Sequence, residues 1–215
     1  MHDTSLSLSA FALFLPACFA LNMALGPNNV LSLSNGARVG IRMSVLASLG
    51  RLLAFAVMIA LSGVGLGALL LASQLWFTAL KLGGALYLVW IGICLLRAPP
   101  SRLPTEERNT GRTTSWAQLA KQELLVAAGN PKAILIFTAF FPQFVDRAHY
   151  ATSFTLLGVT FLLLELVAIG IYAALGARLG AVANQPRVFR WLNRVSGSMM
   201  IGFGITLALL HRPTT

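Results

Sequence analysis

Two proline-containing motifs interrupt long apolar segments, one in each half of the chain. The first is Gly26-Pro27-Asn28-Asn29 and the second is Gly129-Asn130-Pro131-Lys132. Proline breaks an α-helix because it lacks a backbone N–H and its ring clashes with the carbonyl four residues earlier. In lipid, the freed backbone groups are tolerated only where protein or a polar cavity supplies new partners. Matching breaks in two halves of a membrane protein therefore predict a transporter's binding site near the middle of the bilayer.

The composition indicates that this chain lies in a membrane. Of its 215 residues 57% are hydrophobic and 10% are charged, whereas soluble domains carry about 25% charged residues. The mean hydropathy is +0.77, which is typical of a chain with several membrane spans. We predict an all-α integral membrane protein, a single polytopic domain over residues 1–215, in the bacterial cytoplasmic (inner) membrane with membrane lipid around it.

Six apolar segments are long enough to cross a hydrocarbon core about 30 Å thick. They are Leu6–Ser34, Ile41–Leu71, Leu75–Leu96, Ala120–Phe144, Ala151–Leu175 and Trp191–Leu210. A polar linker at about 98–118 separates a first repeat, about 6–97, from a second, about 119–210. Since each repeat has three spans, the second enters the membrane from the opposite side. We therefore predict six transmembrane helices in two inverted repeats, with helices 1 and 4 broken by proline.

Most of the positive charge falls in three short loops. The formal charge is +10, and the loops after the first, third and fifth spans hold most of the lysine and arginine. By the positive-inside rule these three loops, of which the linker is the second, are cytoplasmic, and both termini lie outside. This distribution favours contact with anionic lipid over nucleic acid as the meaning of the charge. The sequence leaves open whether the chain forms a homo-oligomer.

Polar groups beside the two breaks are candidates for substrate binding. A half-helix that begins after a break has free N–H groups and a positive dipole end, which attract a carboxylate. Asparagine side chains add donors and acceptors, and a lysine adds positive charge. The alternative is that the asparagines only cap the half-helices and that the lysine extends to water. The predicted substrate-binding residues here are Gly26, Pro27, Asn28, Asn29, Asn130, Pro131 and Lys132.

Four further residues within or beside the spans are candidates for the same site. Glu165 lies well inside the fifth span, where a carboxylate is costly unless paired, so we predict proton coupling or binding of a substrate ammonium, with a static ion pair as the alternative. Arg51 either bridges to Glu165, binds a substrate carboxylate or lies at the interface. Tyr172 shares a helical face with Glu165 and adds a hydroxyl to the substrate site. Asp146, at the predicted outer end of the fourth span, is a gate, an outer proton acceptor or a solvated helix end.

Several classes of activity have no support in the sequence. There is no phosphate-binding G-x-x-x-x-G-K-[ST] motif, and no Ser/His or His/Glu catalytic constellation. Cys18 and Cys94 are far apart, and the histidines are not clustered, so we predict neither a metal site nor any cofactor. We predict a secondary exporter, not an enzyme, driven by proton exchange. A cation exporter of similar architecture and a non-transporting membrane scaffold are the alternatives.

Several motifs stand in order along nearly the whole chain. They are Ala24–Val30 with Asn35–Gly40, Gly83–Gly92, Asn130–Ala133 with Phe140–Asp146, and Gly202–Ile205. Each resembles a signature segment of the lysine-exporter (LysE/RhtB-type) family, in its first, third, fourth and last spans. The resemblance implies a six-span inner-membrane exporter of amino acids or related metabolites. It leaves the substrate open, because members with similar signatures carry different ones.

Overall fold

The computed structural model describes residues 8–72, 74–97, 115–146, 148–183 and 186–209, and within these ranges the chain is helical, with no strand. The helices are α1 (Leu8–Met23), α2 (Pro27–Ala47), α3 (Leu49–Ala72), α4 (Gln74–Arg97), α5 (Trp116–Ala128), α6 (Pro131–Leu135), α7 (Tyr150–Ala183) and α8 (Pro186–Leu209). A π-helical turn, Ile136–Phe140, and a 3-10 turn, Phe141–Gln143, follow α6. Three parts of the prediction lie outside the described residues. They are the two chain termini, the predicted span ends at Leu6 and Leu210, and linker residues 98–114.

The first predicted break separates α1 from α2. Helix α1 ends at Met23, and α2 begins at Pro27 after Gly26, which is the N-cap residue in an extended conformation. Proline suits this first helical position because an N–H there has no partner within the helix. Pro16, by contrast, lies inside α1 without ending it. The break therefore lies where the sequence predicts it.

The second predicted break separates α5 from α6. Helix α5 ends at Ala128, and α6 begins at Pro131 after Asn130, whose side chain accepts a hydrogen bond from the backbone N–H of Lys132. The segments Trp116–Ala128 and Pro131–Gln143 are bent by 52° relative to each other. An asparagine N-cap of this kind satisfies one of the N–H groups that a helix start leaves free. This break too lies at its predicted position.

Within α2 the chain turns back at Gly40. This glycine has φ 81° and ψ 169°, and it separates helical residues 27–39 from 41–47. The Ser44 hydroxyl donates to the Ser32 carbonyl at 3.3 Å, whereas twelve residues of straight helix would separate them by about 18 Å. The N–H of Ser48 reaches the Ser44 carbonyl, and the N–H of Leu52 reaches the Ser48 carbonyl, so the helix continues into α3. The predicted second span at Ile41 therefore follows a true turn.

Length and composition identify the strongest membrane-spanning candidates. Pro27–Gly65 and Tyr150–Arg178 each qualify alone, and the bent pair Trp116–Ala128 with Pro131–Gln143 qualifies if it counts as one span. The first of these passes through the turn at Gly40 and so consists of two antiparallel legs. Ala10–Met23 and Ala85–Cys94 are shorter apolar helices. The described chain thus fits an integral membrane protein, while the count of six spans stays a prediction.

Close helix contacts hold the centre of the molecule together. A Cβ atom added to Gly36 of α2 would lie 2.2 Å from the Ala173 carbonyl oxygen of α7, and one added to Gly50 of α3 would lie 2.0 Å from the Ala120 carbonyl oxygen of α5. Only glycine allows backbones to approach this closely, as in many membrane helix pairs. These contacts bring α2, α3, α5 and α7 around a buried polar centre.

A cluster of phenylalanines lies beside that polar centre. Its rings come from α1, α3, the π-helical and 3-10 turns, and α7, with centroid separations between 4.9 and 5.9 Å along the chain of contacts. The members are Phe14, Phe55, Phe137, Phe140, Phe141, Phe154 and Phe161, all of them buried. The mostly edge-to-face arrangement is favourable for aromatic pairs. On the predicted topology this cluster lies between the polar centre and the outer membrane face.

Candidate functional site

The two breaks meet in the centre of the molecule. The side-chain amide Nδ2 of Asn130 donates to Oδ1 of Asn28, so the asparagines after each break are hydrogen-bonded to one another. Lys132 Nζ donates to the carbonyl oxygens of Leu21, at 3.1 Å, and Ala24, at 2.9 Å. The lysine of the second break thus binds carbonyls at the end of α1, where a positive charge is favoured by about 0.3–1 kcal/mol, and by up to about 2 kcal/mol when partly buried.

Asn29 and Tyr172 also bind carbonyls at the end of α1, and Asn29 shares the Ala24 carbonyl with Lys132. Asn29 Nδ2 donates to the carbonyl oxygens of Asn22 at 2.7 Å and Ala24 at 2.9 Å. The Tyr172 hydroxyl donates to the Met23 carbonyl at 2.7 Å. These contacts satisfy the acceptors that the first break leaves free. In this conformation Asn29 and Tyr172 therefore act as caps, which is the structural alternative given above for the asparagines.

Arg51 lies at the centre of a buried ionic network. Its side chain is 0% exposed, and its Nε and Nη2 donate to Oε2 of Glu123 at 2.9 and 2.6 Å. Its Nη1 donates to Oε1 of Glu165 at 3.0 Å. Nη2 also contacts the Ser32 hydroxyl at 2.6 Å and the Asn28 carbonyl. The predicted bridge between Arg51 and Glu165 is thus present, and the guanidinium also contacts the first break.

Glu123 is a site residue that the sequence interpretation missed. It is 0% exposed, and its Oε1 accepts a hydrogen bond from Asn35 Nδ2 at 3.1 Å. Because Glu123 stands three residues after the predicted start of the fourth span, beside Lys121 and Gln122, it reads as the polar end of a helix. The rule that selects Glu165, that a carboxylate within an apolar span needs a partner, applies to Glu123 as well. Ser32 and Asn35 were missed because, unlike Asn28, Asn29 and Asn130, they do not stand directly beside a proline break.

The charges of the network balance formally. Arg51 and Lys132 are cationic, and Glu123 and Glu165 are anionic, so the four side chains together carry no net charge when both carboxylates are ionised. Arg51 belongs to the first half of the chain and both carboxylates to the second. Uptake of one proton by the pair of carboxylates would leave one net positive charge, which attracts an anionic group. The arrangement can therefore couple protonation to the binding of a carboxylate.

Three buried polar atoms near the breaks have no hydrogen-bond partner among the described residues. They are Asn22 Oδ1, Asn28 Nδ2 and Asn35 Oδ1, on side chains exposed by 4% or less. Buried polar atoms are nearly always hydrogen-bonded, so an exception points to a water, an ion or a ligand. The site thus offers one free donor and two free acceptors beside residues that the sequence assigns to substrate binding.

Asp146 lies apart from this network. It follows the 3-10 turn, its side chain is 37% exposed, and its carboxylate contacts His149 Nδ1 at 3.2 Å. The backbone N–H of Ala148 donates to Asp146 at 2.9 Å. This hydrogen bond, with that of His149, holds the pKa of Asp146 below its ordinary value. The contacts are those of a solvated helix end, and a role of Asp146 in a gate or in proton uptake at the outer face stays a prediction.

One described cavity, of about 590 Å³, lies between α3 and α7 and away from the breaks. It is mostly apolar, and its lining includes Ile59, Gly63, Tyr150, Phe154, Gly158 and Leu162. Among the residues that the structure describes, no three His, Cys, Asp or Glu side chains lie together in a way that could hold a metal ion. The polar groups of interest are therefore those of the breaks and the Arg51 network.

Comparison with known proteins identifies close relatives. The sequence model of the LysE type translocator family matches residues 19–211. An uncharacterised membrane protein of Vibrio cholerae is 37% identical over 91% of this chain and 94% of its own length. The homoserine/homoserine lactone efflux protein of Salmonella typhimurium is 32% identical over 87% of this chain and 90% of its own length. The leucine efflux protein of Enterobacter sp. is 28% identical over 94% and 96%, respectively. No solved structure matches the chain.

Proposed function

The chain belongs to the LysE type translocator family, and from that premise we propose that it exports amino acids or related small metabolites across the bacterial cytoplasmic membrane in exchange for protons. The family consists of efflux transporters, not enzymes, and the named relatives carry out efflux of homoserine, homoserine lactone or leucine. The observation that carries the proposal is the contact of the two breaks, where Asn130 of one half donates to Asn28 of the other. Broken helices that meet in this way are typical of transporter binding sites.

We propose six spans in two inverted repeats, residues about 6–97 and 119–210 of a single domain, with a cytoplasmic linker and both termini outside. Two helix contacts support the repeat. Helix α3 packs against α5, and α7 packs against α1. These contacts are equivalent if α1 of the first repeat corresponds to α5 of the second and α3 corresponds to α7. The α4–α8 pair is antiparallel, because Gly92 faces Gly197 while Gly204 faces Ala85. Inverted repeats make corresponding helices run antiparallel, and α4 and α8 are such a pair if the halves correspond.

In the proposed site a substrate carboxylate binds at the paired breaks and its ammonium binds near Glu165. Asn28 Nδ2 supplies a free donor, and Lys132 supplies a positive charge that α1 carbonyls hold in this conformation. The substrate carboxylate would compete with those carbonyls for Lys132. Because Arg51, Glu123 and Glu165 are almost completely buried, we infer that helices must separate before substrate enters, as alternating access requires.

Proton exchange supplies enough free energy for export. A tenfold concentration gradient costs about 1.4 kcal/mol. One proton charge that moves inward across 100 mV releases about 2.3 kcal/mol. A neutral zwitterion exchanged for one proton could therefore accumulate outside by more than tenfold. A cationic substrate would lose most of that advantage, because its own charge moves against the same potential.

Reconstituted transport tests this function. Purified protein in liposomes, without a membrane potential, is assayed with labelled homoserine, homoserine lactone and leucine under an imposed pH gradient. For one-to-one exchange we expect a gradient of one pH unit to drive about tenfold accumulation of a neutral substrate. Protein-free liposomes are the first control. If no substrate of the panel moves, the export proposal fails; if flux occurs but ignores the pH gradient, only the proton coupling fails.

Two matched variants test the position of the site. Asn28→Ala removes the unpartnered amide and its contact with Asn130, and we expect it to raise the substrate KM or abolish flux. Thr138→Ala removes a half-buried hydroxyl on the π-helical turn whose one hydrogen bond among the described residues is to the Ile134 carbonyl, and we expect it to leave flux near the wild-type value. Equal losses in both variants would contradict a binding site at the breaks.

A further inference from the structure

The two carboxylates of the ionic network are held very differently. Glu123 accepts three hydrogen bonds, two from Arg51 and one from Asn35, and both of its carboxylate oxygens take part. Among the described residues Glu165 accepts one, from Arg51 Nη1. Glu123 is 0% exposed, whereas Glu165 is 4% exposed. The Arg51 guanidinium thus makes two hydrogen bonds to Glu123 and one to Glu165.

Resting on the proposed proton coupling, we propose that Glu123 is a positioning residue that holds Arg51 fixed as a permanent ion pair, so that Glu165 alone takes up and releases the proton. Each hydrogen bond and each opposite charge stabilises the ionised form of a carboxylate. Neutralising Glu165 weakens the one hydrogen bond that it accepts, whereas neutralising Glu123 weakens all three of its hydrogen bonds. Both residues are glutamates, so the two roles follow from the number of hydrogen bonds that each carboxylate accepts.

The groups around Glu165 determine what its protonation changes. They are Arg51 on α3, Glu123 on α5, Lys132 on α6, Cys18 on α1 and Tyr172 on its own helix. While Glu165 is ionised, Arg51 and Lys132 are balanced by Glu123 and Glu165. When Glu165 is protonated, Glu123 still pairs with Arg51, and the charge of Lys132 at the break is no longer balanced. Protonation of Glu165 would therefore favour arrival of a substrate carboxylate at the break without releasing Arg51.

Infrared difference spectroscopy can assign the proton directly. Purified protein in lipid, without substrate or gradient, is titrated from alkaline to acidic pH while the carboxylic-acid C=O stretching region is recorded. We expect a band from a buried protonated carboxyl in the wild type, its loss in Glu165→Gln, and its persistence in Glu123→Gln. In Glu123→Gln we expect the midpoint to move to lower pH by about one unit or more, because Glu165 then has the whole guanidinium and loses a neighbouring negative charge.

Three further variants separate positioning from folding. Glu123→Asp keeps the charge and should give a midpoint between those of the wild type and Glu123→Gln. Asn35→Ala removes a hydrogen bond from Glu123 without changing its charge, so the midpoint should move to higher pH, in the opposite direction to Glu123→Gln, while the band stays on Glu165. Asp146→Asn, the matched control, removes a carboxylate outside the network and should leave the buried band and its midpoint unchanged.

Several outcomes would overturn the assignment. They are a band that vanishes in Glu123→Gln but persists in Glu165→Gln, a midpoint that Glu123→Gln leaves unchanged, loss of the band in Asp146→Asn, and a wild type with no titrating band. Failure of the export proposal is distinguished by the liposome assay. A normal band pattern with no substrate flux would refute export while supporting these roles, and flux with the wrong band pattern would refute these roles alone.

Discussion

Arg51 contacts groups from three other segments of the fold. Its guanidinium reaches Asn28 and Ser32 on α2, Glu123 on α5 and Glu165 on α7. Arginine suits this position because it is always charged and its planar fork presents several donors in fixed directions. The pairing of Arg51 with Glu165 could be predicted, because both are ionisable residues inside apolar segments. The stronger pairing with Glu123 could not, since a residue near a span end shows its burial only after the helices have packed.

Replacement of Arg51 should destabilise the fold strongly. Arg51→Ala leaves Glu123 and Glu165 buried without their main counter-ion, and removing one partner of a buried ion pair costs about 3–5 kcal/mol. Arg51→Lys keeps the charge but cannot reproduce the forked contacts, so we expect an intermediate loss. Unfolding of the purified protein in mixed micelles measures both effects. Lys121→Ala, which removes an exposed cation on α5, should change stability little, and a similar loss there would contradict a specific role for Arg51.

Asp146 provides a prediction about pH. The pKa of its carboxyl is lowered in the folded protein, first by the Ala148 N–H and then by His149. A lowered folded-state pKa gives a stabilising contribution that is present above the ordinary value of 3.8 and is lost as the pH falls through the folded value. We therefore expect Asp146→Asn to be less stable than the wild type at neutral pH, with the difference disappearing in strong acid. Thermal unfolding across this range measures it, and a difference that grows on acidification would contradict the assignment.

At the scale of elements, the broken helices were predictable and the shapes of their neighbours were not. Pro27 and Pro131 predict both breaks because each stands in a motif with glycine and asparagine, whereas Pro16, which has no such neighbours, lies inside α1. The fold-back at Gly40 was predicted only as a gap between two spans, although its positive φ makes glycine the natural residue there. The π-helical turn at Ile136–Phe140 has no local signal, because π-turns arise where packing forces an extra residue into a helix.

The turn between α2 and α3 should depend on glycine at position 40. Its φ of 81° with ψ of 169° belongs to a region that only glycine visits readily, and a non-glycine residue there costs about 1–3 kcal/mol. We expect Gly40→Ala to lower stability by that amount. Gly83→Ala is the matched control, because a Cβ atom at Gly83 would meet nothing within 4 Å and alanine is favoured over glycine inside a helix. Equal destabilisation by both substitutions would contradict a specific turn at Gly40.

In the complete fold, helices of each half pack between helices of the other half. The α2 helix of the first half packs on α7 of the second, and α3 packs on α5 and α7. Composition and loop charges are enough to predict a helical membrane protein with linked halves. They do not specify which helix of one half packs on which helix of the other. That information resides in close contacts such as Gly36 with Ala173, which are tertiary and involve residues far apart in sequence. Export by alternating access would require some of these contacts between the halves to open and close.

A cross-link between the halves should therefore stop transport reversibly. Ile59 on α3 and Gly158 on α7 are suitable, because a Cβ atom at Gly158 would lie 2.8 Å from Ile59 Cγ2 and a disulfide needs Cβ atoms about 3.5–4.5 Å apart. In a background with Cys18 and Cys94 replaced by alanine, we expect Ile59→Cys/Gly158→Cys to export substrate when reduced and to lose most flux when oxidised. The single-cysteine variants, oxidised in the same way, control for side reactions. Undiminished flux in the fully cross-linked protein would mean that α3 and α7 move as one body, and the halves would then have to separate elsewhere.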